Sequence, residues 1–360
     1  MKLPVKLLVG AAVALSLAAC GPSENKNASS ASPGKPVTLF QWEDYMNPPF
    51  YADYQKTYNE KPNVAIFADE DEAFAKMRAG YKPDVMGPCS YEFPRWREAG
   101  LIQPIDTARL KNWNKISPTL RNLPGISAGG TKVWFVPHYF GNTSITFRTD
   151  LAPEYVKSQS WNILFDPKYK GRVSVLDGVA DTIPFIAHMI GIDAYHMTPA
   201  QYDQVKAKLR DLIKQTRTVT SDDTALAQGL ASGELVAAMT WRATYASLHR
   251  EGKPVAYMRP PGGIFTFVCG LVMHKDPSDE AKAYALIDSS LSDAAALYTI
   301  EHIGDGPANE TVLGKVPDKV FTDIGMPRDV ETFLKSGIFQ ERLPDKDKLV
   351  NDWTEIRAGL

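Results

Sequence analysis

The chain is poor in the residues that carry most enzyme chemistry. It has three cysteines and six histidines in 360 residues. The histidines (His138, His188, His196, His249, His274 and His302) stand singly, and none pairs with another four residues away beside an acid. No zinc-type His-Glu-x-x-His, no phosphate-cradling glycine loop and no nucleophile elbow is read here. Cys89 with His138 is a conceivable nucleophile–base pair, but nothing in the spacing asks for one. No enzyme, cofactor or metal site is expected. A basic excess is also missing. Lys and Arg number 40 against 42 Asp and Glu, a formal net charge of −2, which argues against a nucleic-acid surface. After residue 20 no apolar run approaches the ~20 residues of a membrane-spanning helix.

What is present begins at the amino terminus. Lys2 and Lys6 precede a short apolar run over residues 7–17, and small residues follow. That order is the pattern of a secretory signal. The segment Leu17-Ala18-Ala19-Cys20 resembles the lipobox of bacterial lipoproteins, in which the cysteine is acylated and becomes the first residue of the mature chain. The resemblance implies a lipid anchor on Cys20 and a place in the periplasm or on the cell surface. Residues 21–36 are rich in Ser, Ala, Asn, Pro and Gly and lack an apolar period, as expected of a solvated tether.

Roughly 325 residues remain after the tether. At ~150 residues per domain that means two domains. Hydrophobic residues make up 44% and charged residues 23%, enough apolar material for a real core. Cys89 and Cys269 lie in a compartment that tolerates disulfides, so they either pair or stay as two free thiols.

Strand-like and helix-like segments alternate. Residues 37–42, 63–68 and 83–86 read as strands, with helical stretches after each. The acidic run Asp69-Glu70-Asp71-Glu72 is best read as a first helical turn that complements the helix dipole. Further strands are expected at 132–137, 143–148, 171–176, 235–241, 255–258 and 264–274. Helices are expected at 183–190, 199–215, 221–232, 280–291 and 293–301, with Ser221 or Asp222 as an N-cap. Alternation of this kind indicates an α/β fold with mostly parallel sheets and helices on both faces. Ligands then sit beyond strand ends. Four such loops carry aromatic and polar residues: Trp42-Glu43-Asp44-Tyr45, Cys89-Ser90-Tyr91, residues 177–181, and Trp241-Arg242-Ala243-Thr244-Tyr245.

In order and spacing, Phe40-Gln41-Trp42-Glu43-Asp44-Tyr45, Pro83-Asp84-Val85, Gly100-Leu101-Ile102-Gln103-Pro104-Ile105-Asp106, Pro167-Lys168-Tyr169-Lys170-Gly171, Gly262-Gly263-Ile264-Phe265 and Ile303-Gly304 resemble the spermidine/putrescine-binding family of bacterial ABC-importer substrate-binding proteins. The resemblance runs from about Val37 to the carboxyl terminus. It implies a two-lobed periplasmic-binding-protein clamp of type II with the ligand cleft between lobes. Lobe 1 would comprise residues 37–143 and 262–306, and lobe 2 residues 144–261 and 307–360. The implied partners are a small amine and a membrane ABC permease, for a chain acting as a monomer.

The resemblance also implies site residues. Trp42 and Tyr45 match the first ligand loop, and Tyr91 matches the third-strand loop, with Cys89 where the family has serine. Trp241, Asp181 and Gln340 match second-lobe positions. Phe267 and Cys269 stand where the family has a tryptophan and the aspartate that grips the amine. Asp305 stands where a tyrosine is expected, so an acid is moved across the cleft. Arg242 replaces a neutral residue, and a guanidinium there would favour a zwitterion such as γ-aminobutyrate or a betaine over a polyamine. Cys89 and Cys269 both fall in ligand loops, which makes a disulfide between them one open alternative. Related clamps bind iron, but paired tyrosines or a His/Glu cluster for a metal are not evident. A lipoprotein kept for adhesion or sensing is a further alternative.

Overall fold

The computed structural model describes residues 35–359. The signal, the tether and Cys20 lie outside them. The main sheet contains β1 (Thr38–Gln41), β2 (Asn63–Ile66), β3 (Val85–Met86), β4 (Val136–Arg148), β5 (Val173–Val175), β6 (Thr216–Val219), β7 (Ala237–Trp241), β8 (Val255–Tyr257) and β9 (Phe265–His274). Its order is β6-β5-β7-β4-β9-β3-β1-β2, with β8 paired to β4.

Two long strands define the architecture. β4 enters from one apolar core, where Val136 and Phe140 pack, and leaves into another with Ile145 and Phe147. β9 returns the opposite way, from Ile264 and Phe265 in the second core to Val268, Leu271, Val272 and Met273 in the first. Being antiparallel, they pair from Phe265↔Thr143 to Leu271↔Val136. A third crossing follows at Ile338–Phe339, which pairs with β9. The result is a mixed α/β fold with two cores joined by three crossing segments.

This corrects the expectation of mostly parallel sheets. β1 pairs in parallel with β2 and β3, and β5 does so with β6 and β7. The central pairs β4–β9, β4–β7 and β9–β3 are antiparallel, because the chain goes out along one crossing strand and comes back along the other. The two strands expected at 132–137 and 143–148 are largely one. Gly141 and Asn142 look like breakers, yet they pair with Phe267 and Thr266 inside a fully buried ladder. Residues 308–333 also differ from expectation. Ala308, Val316, Phe321 and Phe333 pack on the first core, not the second.

Local signals behave as the physics of helix ends dictates. Asp69 caps the helix Glu70–Arg78 by accepting from the amides of Asp71 and Glu72, satisfying donors that the first turn leaves free. Thr198 and Gln201 form a capping box for Pro199–Gln215. The string Gly125-Ile126-Ser127-Ala128-Gly129 has the spacing of a nucleophile elbow. Ser127 instead opens an exposed strand paired with Lys132–Val133, with no helix behind it. The strand-to-helix turn that such a motif needs is absent there.

Candidate functional site

A cavity of about 640 Å³ lies where the two cores meet. Among the described residues, five carboxylates line it, from Glu43, Asp44, Asp222, Asp223 and Asp305, and no Lys, Arg or His does. Trp42, Tyr45 and Tyr91 form one side and Trp241 faces them, with Tyr139 and Phe267 at the floor. The arrangement has aromatic walls and unbalanced negative charge.

The first ligand loop follows β1 directly. Trp42 Nε1 donates to the Gly87 carbonyl at 3.0 Å, tying the loop to the end of β3. Tyr45 stacks on Tyr139 with centroids 3.7 Å apart. Its hydroxyl donates to Asp305 Oδ2 at 2.9 Å. Burial, then the nearby Asp305 charge, raises the Tyr45 pKa, so it stays a donor.

Asp305 is the deepest acid. It is 3% exposed, and its Oδ1 has no partner. Gly304 puts it there: φ is +98°, a left-handed conformation open to glycine. Gly141 on β4 makes the room, since a Cβ at that position would stand 2.5 Å from Asp305 Oδ1. Burial pushes the carboxyl up to about 7, against a lowering from the Tyr45 hydrogen bond and from Arg242. Asp223 is pushed up to about 8 by burial and by the charge of Asp44. Asp44 is itself raised, by burial and by Glu43. Acids held above their ordinary range by desolvation and mutual repulsion mark a site that a cation would relieve.

Cys89 and Cys269 line the cavity and form a disulfide. It joins the loop after β3 to the middle of β9. Tyr91 also lines the cavity, hydrogen-bonded to Glu70.

Asp181 lies in a small adjoining chamber behind Trp42 and Trp241. It accepts from Thr143 Oγ1 at 2.9 Å and Gln340 Nε2 at 3.2 Å. Gln340 lines neither space. Its Nε2 also donates to the Ala180 carbonyl, so it orients Asp181. Arg242 overturns its expectation. It is fully buried behind the wall, donating to Asn142 Oδ1 and the Ile324 carbonyl. Its guanidinium lies over Tyr257 at 5.2 Å. Trp241 ends β7 and Arg242 starts the helix Arg242–Arg250, so adjacent side chains leave on opposite sides.

The structure therefore brings Trp42, Tyr45, Cys89, Tyr91, Trp241, Phe267, Cys269 and Asp305 to one cavity. Sequence reasoning missed Asp223 and treated Asp222 only as a cap. Asp222 does cap, accepting from the Ala225 amide at 2.9 Å, and it also lines the cavity. Tyr139 was hidden by the assumed break after residue 137. Among the described residues, no group of three His, Cys, Asp or Glu is placed to hold a metal ion.

Comparison with known proteins agrees with this geometry. The family described as bacterial extracellular solute-binding protein matches residues 51–327. The spermidine/putrescine-binding periplasmic protein of Salmonella typhimurium is 23% identical over 359 residues, covering 98% of each chain. The substrate-binding protein PotD of a Streptococcus pneumoniae spermidine/putrescine ABC transporter superposes with a TM-score of 0.70 at 18% identity, over 90% of this chain and 100% of that one. A PotD lipoprotein of Treponema pallidum gives 0.71 at 18% identity, over 89% and 99%. With a family match over most of its length and the same two-core fold, the chain belongs to the bacterial extracellular solute-binding proteins, which bind and hand on a solute without converting it.

Proposed function

We propose that this chain is the substrate-binding component of an ABC importer and captures a small polycationic amine of the putrescine or spermidine class. One observation carries the reading: among the described residues, five carboxylates and no cationic side chain line the cavity, and Asp305 Oδ1 is buried there without a partner. A buried ammonium needs such an acceptor, because an unpaired buried charge is very costly. The aromatic walls suit the methylene links and add cation–π attraction of ~0.5–2 kcal/mol per ring. The solute touches both cores only when the cleft is closed, so it favours that state. The zwitterion alternative loses its support, since Arg242 faces away from the cavity. The relatives named for spermidine and putrescine point the same way. The proposal extends to a periplasmic or cell-surface location and to a lipid anchor on Cys20.

Thermal melting against putrescine, spermidine, γ-aminobutyrate, a betaine and ferric ion tests it. A true ligand at a hundredfold excess over its dissociation constant adds ~2.7 kcal/mol of stability. Stabilisation by the di- or triamine alone is expected. A shift with zwitterions only, or with nothing, defeats the reading.

A further inference from the structure

Next to the cavity lies an ion cluster that the ligand reading does not use. Lys346 opens the carboxyl-terminal helix Lys346–Arg357, whose Leu349, Trp353 and Ile356 pack in the second core. Its Nζ reaches back to the first core, 2.6 Å from Glu92 Oε2 and 3.1 Å from Asp71 Oδ1. Glu92 immediately precedes the helix Phe93–Glu98, and Asp71 lies in the first turn of Glu70–Arg78. The contact is dry: the Lys346 side chain is 8% exposed and that of Glu92 is 2%. Arg95 binds Asp71 and Glu92 from the first-core side.

The cluster touches the ligand wall through Glu70. Its Oε1 accepts from the Cys89 amide at 2.6 Å, and its carboxylate is hydrogen-bonded to the Tyr91 hydroxyl. Burial and then the Glu92 charge disfavour an ionised Glu70, and Lys346, itself paired with Glu92, favours it. Lys346 also lines the small chamber behind Trp42 and Trp241. An opening of the cleft would carry Lys346 away with the second core, together with Asp347, which pairs with Arg95 at 2.5 Å. Among the described residues, Glu70, Asp71 and Glu92 then keep Arg95 as their cation, and buried carboxylates short of a counter-ion are costly.

We infer that Lys346 is the positioning residue that couples cleft closure to the cavity wall, acting as an internal counter-ion that enters the Glu70–Asp71–Glu92 cluster only when the two cores close. It touches no solute and acts through Glu70 on Cys89 and Tyr91. By favouring the closed state before any solute arrives, it raises the binding-competent fraction. Apparent affinity scales with that fraction. This goes beyond the amine reading and does not depend on which solute binds.

The test is a distance measurement in the whole protein. Spin labels go on Lys132→Cys and Lys214→Cys, both exposed, one beside Val133 of the first core and one beside Leu212 of the second. Without ligand, Lys346→Met is expected to move the distance distribution toward the longer, open population, and Lys346→Arg to restore the parent distribution. Putrescine binding by Lys346→Met should weaken about tenfold, in proportion to the lost closed fraction. Asp71→Asn, a milder change on the rim, should shift the population in the same direction and serves if Lys346→Met does not fold. An unchanged ligand-free distribution in both variants overturns the inference. If putrescine binds neither parent nor variant, the amine reading fails, and the ligand-free distances still decide the role of Lys346.

Discussion

The indole rings of Trp42 and Trp241 meet edge to face with centroids 5.5 Å apart and planes at 70°. Trp42 packs against the first core and Trp241 against the second. Both also rest on the small apolar cluster between the cores, and both line the cavity. Each ring is half-buried, leaving part of it open to a solute in the cavity. Replacing Trp241 by alanine should weaken amine binding at least tenfold, about 1.4 kcal/mol, while the melting temperature of the ligand-free protein changes little. Calorimetric titration beside a melt checks both halves. Unchanged affinity would remove Trp241 from the site.

Asp305 predicts how binding responds to pH. Its carboxyl titrates at about 7 in the empty cavity, raised by burial. An ammonium gains most from the ionised form, so the affinity for putrescine should rise as pH goes from 6 to 8, with a proton released on binding in the lower part of that range. Asp305→Asn keeps an acceptor for the Tyr45 hydroxyl but removes the charge. It should bind about tenfold more weakly or worse at pH 8, with a flattened pH profile. Titration in buffers of different ionisation enthalpy reads the released proton. A variant that keeps the parent slope would assign that slope to another acid.

Gly141 predicts a loss of function without a matching loss of fold. A Cβ there would stand 2.5 Å from Asp305 Oδ1 and 2.6 Å from the Phe267 ring, so both must give way. Both are cavity residues. Gly141→Ala should displace the acid, weaken amine binding by about tenfold or more, and leave a cooperative melt. Equal affinity in the variant would mean that Asp305 has freedom to shift without consequence.

The Cys89–Cys269 disulfide closes a sequence separation of 180 residues and joins the ligand loop to a crossing strand. Removing a native disulfide from small secreted domains typically costs ~2–5 kcal/mol. Cys89→Ser with Cys269→Ser should therefore melt several degrees lower. In denaturant, the parent should yield two additional thiols from these residues after reduction. Equal titres with and without reductant would rule the bond out in solution.

Much of this was legible in the sequence where one local rule sufficed. The helix opened by the acidic run after Asp69, the long helix Pro199–Gln215 and the strand over Phe40 follow from short-range chemistry, and the structure has them. What failed depended on three-dimensional company. Arg242 follows Trp241 in the chain, and no local pattern says that the chain turns into a helix between them and sends one side chain to the cavity and the other into the core. Asp223 looks like an ordinary first-turn acid and becomes a cavity acid only because its helix abuts the loop carrying Asp44. Gly141-Asn142 carries the signature of a turn, but burial between two strands overrides it.

His138 offers a test of stability. It is buried among Tyr45, Phe50 and Tyr139, and burial pushes its pKa down to about 3. The unfolded chain protonates the same ring near 6.5. Between those values the unfolded state binds a proton that the folded state refuses, so His138 removes stability as pH falls from about 6.5 toward 3, by up to ~1.4 kcal/mol per pH unit. The carboxyls of Asp305 and Glu70 act with the opposite sign. Burial raises both above the unfolded carboxylate range, Asp305 to about 7, so their contribution is full below about 4 and is lost as pH rises from there through the folded values. His138→Phe keeps a ring of similar size and should lessen the loss of stability as pH falls from about 6.5, while Asp305→Asn should lessen the opposite loss as pH rises from about 4 toward 7. Urea unfolding from pH 4 to 8 separates the two by the opposite sign of the change in slope. If His138→Phe leaves the acid limb as steep as in the parent, the imidazole takes up its proton in the folded state and is not held neutral by the core.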